Sequence, residues 1–193
     1  MTDIRPDLRS CTLCAQRFTA TATAHQPNPI VWFQPEARIL IAGQAPGMRV
    51  HKTNIPFKDP SGDRLRGWLG LDELAFYDRT RVAIVPMAFC FPGCNAKGSD
   101  LPPPTSCAKT WRAPALAMLP DIRLTLLIGG HAMRYHLPNF TTVAQAVSDW
   151  HDHPKGVFAL PHPSWRNTGW LKKNPWFEAE VIPRLQTAVA EVM

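Results

Sequence analysis

The stretch Arg38-Ile39-Leu40-Ile41-Ala42-Gly43-Gln44-Ala45-Pro46-Gly47 decides the fold. Its first half is a short apolar run of the kind that forms a buried strand, and its second half is a polar turn rich in Gly and Pro. The arrangement recurs at Gly156-Val157-Phe158-Ala159-Leu160, where Pro161 leads into His162-Pro163-Ser164. Both polar motifs therefore fall at carboxyl ends of strands, where open α/β sheets bind ligands, and the two segments are expected to meet in one site.

Two further runs, Arg81–Val85 and Leu124–Ile128, bring the strands to four. Helical patterns lie between them. Leu65, Trp68 and Leu69 recur at the spacing of one buried face, in a helix that Ser61 is expected to cap; others open at Ser106 and cover about Thr142–Trp150. The closing pattern, Glu178–Val192, contains Pro183, which should kink or split it. Strands alternating with helices predict parallel pairing through right-handed crossovers. The expected architecture is α/β, a three-layer α/β/α sandwich with a central four-stranded parallel sheet, in a single domain spanning residues 1–193.

With 193 residues, 45% of them hydrophobic, the chain can bury a substantial core, and no run approaches the ~18 apolar residues of a membrane span. Met1–Pro6 lacks the basic-then-apolar pattern of a secretory signal, so a cytoplasmic monomer without membrane association is expected. Lys and Arg number 21 against 15 acidic residues, a net charge of +6 that suits a polyanionic partner.

The order Gly43-Gln44-Ala45-Pro46-Gly47, Pro56-Phe57, Cys90-Phe91-Pro92-Gly93 and His162-Pro163-Ser164 resembles the uracil-DNA glycosylase superfamily. The resemblance is nearest to its iron-sulfur branch, family 4, and runs from about Ser10 to Asn174. It implies a DNA glycosylase that flips out uracil or a related deaminated base and hydrolyses its N-glycosidic bond in base excision repair. The alternative is a catalytically weak or inactive module that binds damaged or single-stranded DNA.

By the same resemblance, His162 directs a ring N–H at a carbonyl oxygen of the departing base, Gly43, Ala45, Pro46 and Gly47 form a pocket wall, and Phe57 stacks on the extruded base. Read without it, His162 could cap a strand end and Phe57 could be a core residue. Asn95 is a candidate polar contact to the base; Ser164, Trp165, Arg166 and Lys172 are candidate DNA contacts, with Trp165 as a wedge and Arg49, His51 and Lys52 adding charge. The bland reading of Trp170 and Trp176 as core anchors is preferred. The chain also departs from the family pattern. Efficient uracil glycosylases carry an aspartate where Ala45 stands, and family 4 an acidic residue where Gln44 stands. Gln44, in the catalytic position, can hold a water but cannot take its proton. Asp59 and Asp63 are nearby candidates to substitute, Asp63 reading equally well as a first-turn helix residue, and Pro86 and Met87 occupy the place of a base-reading asparagine.

The resemblance further implies that Cys11, Cys14, Cys90 and Cys107 hold a structural 4Fe-4S cluster, with Cys94 outside the set. Such thiolates suit tetrahedral zinc equally well, and a metal-free arrangement with Cys90 as a small core residue stays open.

Overall fold

The computed structural model describes residues 2–193. Four parallel strands, β1 (Ile39–Ala42), β2 (Val82–Ile84), β3 (Leu124–Ile128) and β4 (Val157–Leu160), form one sheet in the order β2-β1-β3-β4. Their register pairs Ile41 with Ile84 and Leu126, and Leu126 with Phe158. The carboxyl ends of β1 and β4 thus lie on the same edge of the sheet, as the two motifs require.

Helices α1 (Arg5–Arg9), α2 (Ala15–Thr19), α3 (Met48–Thr53), α4 (Pro60–Leu69), α5 (Glu73–Tyr77), α6 (Thr105–Cys107), α7 (Ala113–Ala117), α8 (Gly130–His136), α9 (Val143–Ser148), α10 (Thr168–Lys173) and α11 (Ile182–Val192) surround the sheet. Side chains alternate across a strand, so one sheet has two apolar faces to cover. Ile39, Ile41, Val82 and Ile84 pack with Leu65, Trp68 and Leu69 of α4, Phe76 of α5 and Leu185 and Val189 of α11. Leu40, Ala83 and Val85 pack in a second cluster with Leu8 of α1, Phe33 and Ala115 of α7. The result is the expected three-layer α/β/α sandwich. Among the described residues, no helix is long and apolar enough to cross a membrane.

Local details differ from the sequence reading. Asp59, not Ser61, caps α4: its side chain accepts from the Gly62 amide at 3.0 Å, and Pro60 takes the first turn, where its missing N–H costs nothing. Ser106 lies inside α6, which follows Pro104. Pro183 does divide the last helical segment. A π-helical turn, Phe177–Val181, runs into α11, with the proline in the new helix's first turn.

Candidate functional site

At the end of β1 the chain turns through Gly43–Gly47 into α3. Two backbone bonds stitch this turn to the segment after β2: Met87 N–H donates to Gly43 O at 2.9 Å and Ala88 N–H to Gln44 O at 3.1 Å. Neither Gly43 nor Gly47 has a positive φ, so the turn itself does not demand glycine. A Cβ at Gly43 would meet nothing within 4 Å, leaving open space beside the strand end, while one at Gly47 would lie 3.9 Å from Asp100 Oδ2.

Backbone strain sits instead at Phe57, a non-glycine residue at φ 55. Its carbonyl presses against Gly62, where a Cβ would stand 1.7 Å from Phe57 O, so only glycine allows this approach. Phe57 is half-buried and edge-on to Phe76, ring centroids 6.2 Å apart. The residue is thus packed against the core yet not sealed by it.

The histidine loop is built by side chains. Ser164 N–H donates to His162 Nδ1 at 3.2 Å, which makes Nδ1 the acceptor and places the ring proton on Nε2. Asn167 Nδ2 donates to His162 O at 2.7 Å. From α4, Arg64 donates to Ser164 O at 3.1 Å and to Thr168 Oγ1 at 3.3 Å. His162 has an exposed edge, yet desolvation by the surrounding protein lowers its pKa from 6.5; Asp59 and Asp100 pull it back up, and Arg166 pushes it further down. A neutral imidazole with its proton on Nε2 follows at pH 7. It can donate to an oxygen that gains negative charge without being a cation itself.

Beyond this loop, Trp165 is 77% exposed, with the Arg166 guanidinium 6.0 Å from its ring centroid. Such an exposed indole is free to engage a partner. Lys172 is exposed at the end of α10, whereas Trp170 and Trp176 pack edge-on to one another and against the core, as preferred from sequence. Arg49 and Lys52 lie exposed on or beside α3 next to the first motif. Asn95 is placed less favourably: its Oδ1 accepts from the Lys97 and Ser99 amides at 2.9 and 3.0 Å, fixing the side chain to its own loop. Asp63 is engaged by Arg66.

These elements coincide with a match to the family model described as the uracil DNA glycosylase superfamily, over residues 30–186. The chain belongs to that superfamily. The match covers both strand-end motifs and leaves out the segment containing Cys11 and Cys14.

Within the superfamily, the assignment to the iron-sulfur branch is corrected. Cys11, Cys14, Cys90 and Cys107 line one small cavity with Phe18 and Trp111, so the N-terminal segment does reach the loop after β2. Among the described residues, however, no three of the cysteines, histidines, aspartates and glutamates are grouped so as to hold a metal ion. Burial pushes the Cys90 thiol up to about 12 and the Cys107 thiol to about 11, which keeps both protonated as small core groups. Cys11 accepts from Trp111 Nε1 at 3.2 Å. Neither the 4Fe-4S cluster nor zinc is supported.

Three residues of this region escaped the sequence reading. Arg64 clamps the histidine loop. Asp100 lies beside Gly47 and acts electrostatically on His162, a carboxylate brought in by the long loop after β2. Arg112, fully buried on a π-helical turn (Ala108–Arg112), donates to Val85 O at 2.8 Å and Pro86 O at 3.1 Å and contacts His136 Nε2. Burial holds His136 down at about 4, so it meets the guanidinium as a neutral acceptor. Arg112 thereby fixes the segment that stands where a base-reading asparagine is expected. A π-helical turn has no strong sequence signature, so only the unusual placement of an arginine among apolar residues hinted at it.

Proposed function

We propose that the chain binds damaged or single-stranded DNA and receives an extruded base between the Gly43–Gly47 turn, Phe57 and His162, as a catalytically weak or inactive member of its superfamily. One observation carries this reading. Gln44 and Ala45 leave the first motif without a carboxylate, while the open space at Gly43, the half-buried Phe57 and the exposed Trp165 and Arg166 retain what extrusion and phosphate binding need.

A second reading, slow excision of uracil or a related base, has its own support. Neutral His162 offers an N–H suited to a departing pyrimidine oxygen, and Asp59 and Asp100 both act on it. Asp59 Oδ1 caps α4 and Asp100 Oδ1 accepts from Cys94 Sγ, so each keeps its second oxygen as a candidate to hold a water for attack at the sugar.

Uracil-containing oligonucleotides, single-stranded and duplex, treated with protein and then alkali, separate the two readings. Binding without strand cleavage is expected for the first, and cleavage lost in His162→Ala favours the second; an absence of DNA binding at low salt defeats both. Binding should weaken steeply with salt, and Arg166→Ala should reduce the log-log slope by about one if that residue grips a phosphate.

A further inference from the structure

The amino ends of β3 and β4 frame a second cleft, at the opposite pole of the sheet from His162. Its volume is about 440 Å³, within the size range of small-molecule sites. Three cations reach it from three separate segments: Arg123 just before β3, Lys155 in the turn before β4 and Arg184 on α11. Among the described residues none of them belongs to an ion pair, and Glu191 is the one carboxylate in the lining. Three cations against one carboxylate leave the cleft with a local positive charge.

The backbone holds this arrangement firmly. Thr125 N–H donates to Gly156 O at 2.7 Å, and Gly156, at φ 79, lies so close to Arg123 that a Cβ would stand 2.4 Å from Arg123 O. Only glycine permits that approach, which brings the backbone of the turn carrying Lys155 against Arg123 at the rim of the cleft. His153 Nε2 contacts Ala146 O at 2.7 Å and anchors the turn. On the same wall the rings of Trp150 and His151 adjoin, with centroids 3.6 Å apart and planes tilted by 31°; Trp150 is half-buried against the core and His151 is exposed. Leu124 and Phe158 supply an apolar floor.

We propose that this cleft binds a phosphorylated nucleoside, either a free mononucleotide or the phosphorylated end of a DNA strand. Guanidinium and ammonium groups suit phosphate, whose oxygens Arg can grip two at a time, and the exposed His151 ring, backed by Trp150, offers a face for a base. An acidic peptide would use the cations and leave the ring platform without a role. The site stands apart from the strand-end pocket and does not depend on that pocket binding DNA.

The test is calorimetric titration of the full chain at low salt with thymidine 5′-monophosphate, a short 5′-phosphorylated oligothymidylate and inorganic phosphate, with hydrogen exchange to locate the ligand. The expected result is binding of either nucleotide more tightly than phosphate, with protection confined to residues 150–157 and 184–192. Tighter binding of the mononucleotide assigns the free ligand, and tighter binding of the oligonucleotide assigns the strand end. The double variant Lys155→Glu, Arg184→Glu, both exposed, should weaken binding at least ~10-fold. His151→Ala should weaken nucleotide but not phosphate, by ~5-fold or more. The proposal is overturned if neither nucleotide binds at millimolar concentration, if phosphate binds as tightly as the nucleotides, or if protection falls on residues 43–47 and 162–168 while the charge-reversed protein binds normally.

Discussion

The two loops that meet at the candidate site are built in opposite ways. The Gly43–Gly47 turn is held by its backbone, through the Met87 and Ala88 amides. The His162–Thr168 loop has one backbone bond, Asn167 N–H to Ser164 O, and is otherwise held through side chains: the His162 ring accepts from the Ser164 amide, Asn167 Nδ2 donates to His162 O, and Arg64 reaches across from α4. A backbone-built turn tolerates changes of side chain and serves as a wall. A loop fixed by side chains can set a tautomer, and it loses its chemistry when one partner is removed.

That contrast can be broken by substitution, most severely at His162. If the protein excises a base at all, His162→Ala should lower the rate by ~10²–10³-fold, the usual cost of one lost oxyanion donor. The sheet should stay folded, because His162 belongs to neither core cluster, although its loop loses the acceptor of the Ser164 amide; a rate equal to wild type would remove His162 from the chemistry. Arg64→Ala comes next. It removes charge-assisted bonds worth roughly 1.5–3 kcal/mol, so DNA affinity should fall about 10-fold or more while the sheet stays folded, as read by binding assays and circular dichroism.

Proton NMR sharpens the electrostatic half of the comparison. His162 should titrate below 6.5, because desolvation by the surrounding protein disfavours the cation. As pH falls through that value, Nδ1 gains a proton and the Ser164 amide loses its acceptor, so the loop should loosen on the acidic side and stay intact on the alkaline side. Asp100→Asn removes a charge that raises the His162 pKa, and the titration should then move to still lower pH. An unchanged midpoint would place Asp100 too far away to matter. Gly43→Ala is the mildest test. Its Cβ meets nothing in the free protein, so stability should change by less than about 0.5 kcal/mol, whereas a base seated against the turn would feel the methyl group as weaker binding.

The strands were legible because each is an apolar run closed by a turn, and burial on both faces is a local property of composition. The helix carrying Leu65, Trp68 and Leu69 was legible from its period. Its cap was misread because Asp59, Ser61 and Asp63 cluster around Pro60, and only the backbone path decides which oxygen meets the Gly62 amide. His162 and Phe57 could be singled out by motif, but the neutral Nε2–H tautomer and the left-handed Phe57 backbone could not. Both result from contacts with Ser164 and Gly62. The cysteines show the converse failure. Their spacing resembled a ligand set, and although the fold brings four of them to one cavity, it does not group three or more potential ligands so as to hold a metal ion.

The sequence alone determined the four strands, their parallel order of alternation with helices, and the strand-end position of the two motifs, because hydrophobic patterning acts over a few residues. Tertiary structure decided what surrounds His162: Arg64 from α4, Asp100 from a loop after β2 and Asp59 from a helix cap. It also joined Arg123, Lys155 and Arg184 at the other end of the sheet. Those meetings depend on the paths of long loops and on strand order, which no local pattern encodes.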